Sequence, residues 1–314
     1  MIEPILVLEN INKGWHIKRC PLCKVAFVHP QPDPEAIKAH YNGMYSHLAT
    51  EFDAKKMHWA RKSIGGYLST LNKKGYLNKQ TLLDIGGGLG YYSKAFEEAG
   101  LSVTLVEQDP ISAKFARNIL KVTNIIELSS DDFFKSNTRK YDIVFLRHVI
   151  EHSTDPLKLL RNVADIIKDK GVFIIETDNN EGVELLCRPI TAKFYLSRYH
   201  LSYEPVSFLS LIMKRPLGID PPNHLFGFRI SNLSAILEQN DLIPFVKFCY
   251  RTGHPLYWPN LPLPPLSQVF CNIINLRKRR AFFDIVEYAL YPFRFLLERM
   301  GLASGICLYA KKVK

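Results

Sequence analysis

The sequence predicts an α/β fold, doubly wound around a seven-stranded and mostly parallel sheet, with a small N-terminal cap and two lid insertions. Three observations predict it. Short apolar runs alternate with amphipathic helical segments through the middle of the chain. Those runs are apolar throughout instead of alternating, the pattern of strands covered on both faces. A glycine turn, Gly86-Gly87-Gly88-Leu89-Gly90, stands between the first strand and the first helix of the series.

The elements follow in order. Residues 1–45 form a cap and linker. In it Trp15–Arg19 and Val25–Val28 read as strands flanking Cys20-Pro21-Leu22-Cys23, which has the form of a zinc knuckle. Zinc takes about four ligands. Met1–Arg19 adds no cysteine, so His16 or His29 would have to complete the set. Zinc is therefore not expected, and the knuckle is read as two reduced thiols. Pro30-Gln31-Pro32-Asp33-Pro34 is a rigid linker, and Glu35–Tyr45 a helix.

The core, 46–180, opens with a helix at Lys55–Leu71. Strands follow at Thr81–Ile85, Ser102–Glu107, Asn124–Leu128, Tyr141–Leu146 and Gly171–Thr177. Helices lie between them at Tyr91–Ala99, Ile111–Leu120 and Asp155–Ile167. An insertion, 181–222, precedes a return to the core at 223–250, with a helix at Ser231–Gln239, capped by Ser231, and a strand at Ile243–Tyr250. A second insertion, 251–304, separates this from the final strand in 305–314, read at Ile306–Lys312.

A chain of 314 residues with 47% hydrophobic content fills a full core. The six cysteines suit a reducing compartment, since only Cys20 and Cys23 are paired in sequence. Met1–Asn10 carries Glu3 and Glu9 and lacks the basic start of an export leader. The expected location is the cytoplasm. The net charge of +11 is uneven: Cys271–Lys314 holds nine Lys/Arg against three Asp/Glu. Thr252–Leu276 has no charged residue and is rich in proline, and Arg277-Lys278-Arg279-Arg280 follows. Ala281–Met300 is then mostly apolar, with Asp284, Glu287, Arg294 and Glu298 on one stripe at helical spacing and Pro292 as a kink. Two readings stand: a helix lying on the inner membrane face, giving peripheral contact through 277–300, or a lid helix packed on the sheet.

The glycine turn binds a nucleoside if Glu107, at the end of the second strand, takes the ribose hydroxyls, with Gln108 beside it. A dinucleotide site has the same shape. Asp84 separates the two: a carboxylate two residues before the first glycine repels a pyrophosphate. It attracts the sulfonium and ammonium of S-adenosylmethionine (SAM). Asp84, Gly86, Gly88 and Gly90 resemble the first motif of class I SAM-dependent methyltransferases, a Rossmann-like fold whose last strand runs antiparallel to its neighbours. The resemblance implies that an acid after the third strand, Asp131 or Asp132, meets the adenine amino group, with Phe133 covering the ring. Those residues read equally as a helix cap with Ser129 and Ser130.

The segment Arg147-His148-Val149-Ile150-Glu151-His152 after the fourth strand resembles one found in bacterial sugar and ubiquinone-pathway O-methyltransferases. There it faces the transferred methyl. His152 is the expected general base, His148 the second, with Glu151 orienting a histidine or binding the acceptor. Arg147 is grouped with the cofactor contacts. The ubiquinone group holds a divalent metal here with two acids and a histidine. This chain has His148 where the first acid would stand, so no metal ligand is assigned and Mg²⁺ is the alternative. The knuckle resembles half of the N-terminal zinc element of the sugar enzymes. In those enzymes Tyr41 and Tyr45 would lie over the cofactor, and His224, in Asn223-His224-Leu225-Phe226, would face the acceptor. The implied reaction is O-methylation of a small molecule, a sugar, glycan precursor or lipid-linked intermediate. C-methylation stays open, as does a catalytically silent SAM-binding partner subunit. An RNA methyltransferase is the remaining alternative. Nucleic acid is not an expected partner, because the basic run sits beside apolar and not stacking residues.

Overall fold

A computed structural model describes residues 3–11, 14–41, 49, 51–76, 80–187, 208–214, 217–250, 289 and 292–313. In chain order the strands are β1 (Ile5–Ile11), β2 (Trp15–Arg19), β3 (Ala26–His29), β4 (Thr81–Ile85), β5 (Ser102–Val106), β6 (Ile125–Ile126), β7 (Tyr141–Arg147), β8 (Ile167–Asp178), β9 (Phe226–Gly227), β10 (Leu242–Tyr250) and β11 (Gly305–Lys312). The helices are α1 (Pro34–Tyr41), α2 (Ala54–Lys73), α3 (Tyr91–Glu98), α4 (Pro110–Asn118), α5 (Ser130–Ser136), α6 (Pro156–Ile166), α7 (Phe208–Lys214), α8 (Ile230–Glu238) and α9 (292–299). Tyr45 and the run Arg277–Arg280 lie outside the described residues. The chain divides into two compact units.

One unit holds Asp33–Glu176, Ser234–Val246 and Leu308–Lys314. Its centre is a mixed, mostly parallel sheet of seven strands in the order β10-β11-β8-β7-β4-β5-β6. Strand β4 pairs in parallel with both β5 and β7, β5 with β6, and β7 with β8. Leu82, Leu83, Leu105, Val144, Leu146, Ile174 and Ile175 are wholly buried, as expected for strands covered on both faces. Helix α2 buries Met57, Ala60, Ile64, Tyr67 and Leu71, a stripe at helical spacing. Tyr67 reaches Phe96, Phe145 and Tyr309, at the aromatic centre of this core. Full burial of such side chains contributes about 1.5–3 kcal/mol each. Asp53 caps α2 by accepting from the N–H groups of Lys55 and Lys56, and its own N–H donates to the Tyr91 hydroxyl at 2.8 Å. That bond ties the start of α2 to the start of α3.

Strand order reverses between β4 and β7: β5 and β6 lie on one side of that junction and β8 on the other. Ligands of open α/β sheets bind at the carboxyl ends of the strands flanking such a reversal. The glycine turn follows β4 and the histidine loop follows β7, so both stand there.

The other unit holds Met1–Pro32, Thr177–Leu233 and Lys247–Cys307. Its antiparallel sheet has the order β1-β2-β3-β9. Residues 1–32 therefore do not make a free-standing cap. Ala26 and Phe27 pair with Gly227 and Phe226, and Val7, Ile17, Ala26 and Val28 pack with Leu185, Leu186, Leu217 and Ile219 from the first insertion. Three short strands bury little apolar area by themselves; the first insertion adds to it. The Arg19 guanidinium donates to Asn180 Oδ1 and to the Lys214 carbonyl, and Asn180 Nδ2 donates to the Leu217 carbonyl at 2.8 Å. Ser231 does not cap α8: that helix starts at Ile230, and Asn232 Oδ1 accepts from the Arg229 N–H.

Candidate active site

After Ile85 the chain turns left-handed at Gly86, with φ of +67°. Space constrains the turn as firmly as conformation does. A Cβ on Gly86 would stand 2.8 Å from Val149 Cγ2, and one on Gly87 would stand 2.5 Å from Asp84 Oδ2 and from Leu105 Cδ1. The turn is thus pressed against the β7 loop on one side and the sheet on the other. Gly87 carries the tightest restriction, yet the run of three glycines in the sequence does not single it out.

Asp84 lies beneath the turn, 1% exposed. Ser93 Oγ, from the first turn of α3, donates to its Oδ2 at 2.5 Å. Burial pushes the Asp84 carboxyl up to about 6, against the Ser93 bond, and the nearby Glu107 charge adds to the rise while Arg147 opposes it. A cation above the turn would meet it through the field of a buried carboxylate. Ser93 was not found from the sequence; its only signal there is a serine on an otherwise apolar helix face.

Glu107 ends β5 with one oxygen accepting from the Gly88 N–H and the other from the Asp109 N–H, each at 2.8 Å. Burial raises this carboxyl too, and the N–H groups of Asp109, Gly88 and Gln108 oppose the rise. The acid is therefore fixed across the glycine turn, where a ribose would meet it. The Gln108 side chain is exposed. Gly90 precedes α3 as its cap.

The acids after β6 are placed by a helix cap. Ser129 accepts from the Asp132 N–H, Asp132 pairs with Lys135 at 2.8 Å, and Asp131 pairs with Lys158 at 3.0 Å, all on the surface. Phe133 departs from its expected place over an adenine: it is 2% exposed and packs in the core beside Phe134.

Arg147, at the end of β7, pairs with Glu176 at 3.1 Å and holds its guanidinium 4.4 Å over the Tyr92 ring. His148 follows with φ of +51°, uncommon for a side-chain-bearing residue. Its N–H donates to the Glu176 carbonyl. Its Nδ1 stands 3.0 Å from Oε1 of Glu151, a carboxylate that is 1% exposed. His152 Nδ1 shares a hydrogen bond of 2.7 Å with the hydroxyl of Tyr41, the last residue of α1. Within one loop stand two imidazoles, one held by a buried acid and one by a phenol, and Val149 between them presses on Gly86.

His224 belongs to the other unit, where its Nδ1 lies 3.0 Å from the Gly218 carbonyl and 3.5 Å from Asp178. Mg²⁺ demands mostly oxygen ligands. The 147–152 loop by itself offers one carboxylate, Glu151, and two imidazoles, His148 and His152, and no step is assigned to a metal. The knuckle does not fit zinc. The N–H groups of Cys23, Leu22 and Lys24 hold the Cys20 thiol below its usual range, as in a metal knuckle, while burial pushes Cys23 up. But β2 and β3 pair Arg19 with Ala26 beside the knuckle and His16 with His29 three residues further along. At ~3.4 Å per residue the histidines stand roughly 10 Å away from it.

The sheet order, the glycine turn with its two acids and the loop after β7 define a class I SAM-dependent methyltransferase. The model of the methyltransferase-domain family matches residues 56–242, and the chain belongs to that family. SAM is its methyl donor. A ubiquinone biosynthesis O-methyltransferase from Nitrosomonas europaea is 26% identical over 126 residues, 39% of this chain and 54% of that protein. An (S)-coclaurine N-methyltransferase from Papaver somniferum is 25% identical over 127 residues, 38% of this chain and 36% of that protein. The crystal structure of magnesium protoporphyrin IX methyltransferase from Synechocystis PCC 6803 with bound SAH has 11% identity and a TM-score of 0.49, covering 90% of this chain and 100% of that one. The chain spans about half the length of the first curated relatives it matches, 54%, 47% and 48%.

Proposed function

We propose that the protein transfers the SAM methyl to an oxygen of a small-molecule acceptor, a sugar, glycan precursor or lipid-linked intermediate, in the cytoplasm. The observation that carries this is the contact of Val149 with Gly86: it sets His148 and His152 beside the turn that receives the donor. Displacement at a sulfonium methyl needs an oxygen relieved of its proton, and an imidazole is suited to take it at neutral pH. The proposed order of the two bases differs from the one the sequence suggests. His148, whose Nδ1 shares a hydrogen bond with the buried Glu151 carboxylate that fixes its ring, is the first candidate base. His152 is the second. Its Nδ1 shares a hydrogen bond with the Tyr41 hydroxyl, which orients the ring. Holding donor and acceptor in line supplies much of the remaining acceleration. Asp84, Gly86, Gly88, Gly90, Glu107 and Gln108 are the proposed donor contacts.

His148→Ala and His152→Ala, assayed against a panel of sugar and lipid-linked acceptors, test the reading. The histidine that acts as base should lose about 10²–10⁴-fold in turnover, with SAM affinity by calorimetry nearly unchanged. Full turnover in both variants would remove the histidine from the mechanism.

A further inference from the structure

Helix α9 presents its faces the opposite way from a surface helix. Arg294 is buried, and its Nε donates to Glu184, whose side chain is wholly buried. Glu298, one turn on, is half-buried on the same side. The outward arc carries Phe293, Phe295, Leu296 and Met300, which are 60%, 47%, 54% and 61% exposed. Arg299 is exposed among them, its guanidinium 4.9 Å from the Phe295 ring centroid. At about 100° per residue these positions form one continuous face, and among the described residues of α9 no carboxylate lies on it. The ion pair locks this orientation. Turning the apolar face inward would put Arg294 in water and leave Glu184 buried and uncompensated, a costly exchange.

A contiguous apolar patch with a cation and no acid is an interaction surface and not a solvated face. We propose that it rests on an anionic lipid surface. Charge complementarity selects that occupant. The face is cationic and apolar, and the sequence places Arg277-Lys278-Arg279-Arg280 a short distance upstream. Rings and a guanidinium side by side suit the headgroup boundary, where one part is apolar and the other wet. No helix among the described residues is long and apolar enough to cross a membrane, and the proposed contact is interfacial. The inference deepens the proposed function by naming where a lipid-linked acceptor would be met. Its test uses no methyl transfer, so the two readings fail separately.

The test is co-sedimentation of the full chain with vesicles of phosphatidylcholine, alone or mixed with phosphatidylglycerol. The protein should pellet with the mixed vesicles only, and less at high salt. The triple variant Phe293→Ser, Phe295→Ser, Leu296→Ser should lose about ten-fold in partitioning while keeping its SAM affinity by calorimetry, which shows that it folds. Three results would overturn the proposal. The wild type could ignore the mixed vesicles, or the triple variant could bind them equally well. Light scattering could also reveal a dimer that the triple variant abolishes, which would make a second copy the occupant.

Discussion

At Asp84 folding and binding pull in opposite directions. Its carboxyl is raised to about 6, so the folded chain holds that proton more tightly than the unfolded one. The associated stability is complete below about pH 4 and is lost as pH rises through about 6. At about 1.4 kcal/mol per unit, ionisation costs the fold on the order of 3 kcal/mol. A bound sulfonium favours the ionised form. SAM affinity should therefore fall as pH drops below about 6 and level off above it. Asp84→Asn keeps an acceptor for Ser93 but cannot ionise. It should flatten this pH step, weaken SAM roughly ten-fold, and raise the melting temperature at pH 7.5. Calorimetry from acid to neutral pH, with thermal melts, reads all three; an unchanged pH step in the variant would refute the assignment. The sequence marks Asp84 and Glu107 by their strand-end positions, but not the rise of each carboxyl, because desolvation is a property of what packs around them. Phe133 shows the same limit: a phenylalanine after a strand is equally legible as a ring cover or as core, and burial decides.

Among the elements, α9 was half legible. Spacing revealed a polar stripe and an apolar face, yet the inward face was set by Glu184, 110 residues away. Glu184→Ala should destabilise the protein by about 3–5 kcal/mol, because it leaves a buried guanidinium alone. Replacing both partners by methionine should recover most of that loss. Denaturant melts of the two variants check this, and equal losses would mean that the pair does not act through its charges. The knuckle hairpin was legible as two strands around a turn, and its register is what separates the histidines from the thiols. Metal analysis of untagged protein should find well under one zinc per chain; a stoichiometric ion would require ligands from outside the described residues.

Over the whole molecule, the alternation of apolar runs and helices carried the sheet well. β4 runs over Thr81–Ile85 as expected. The short strand β6 shrank to Ile125–Ile126, as an edge strand paired on one side can. What periodicity could not show was the second unit, because its sheet is assembled from segments distant in sequence and held by a two-residue strand, too short to leave a pattern. The order of strands has one more consequence, for biosynthesis. β11 lies inside the sheet between β10 and β8 although it comes last of the described strands. While the chain is being made, β8 and β10 have no neighbour between them, and each presents a row of unpaired amides and carbonyls until residues 305–312 emerge. The nascent protein therefore spends its synthesis with open, apolar strand edges, the state in which chains pair with each other. A chain ended at Ser304 should stay in that state: it should collect in the insoluble fraction or bind chaperones, and a soluble, cooperatively melting product would show that the sheet closes without its inner strand.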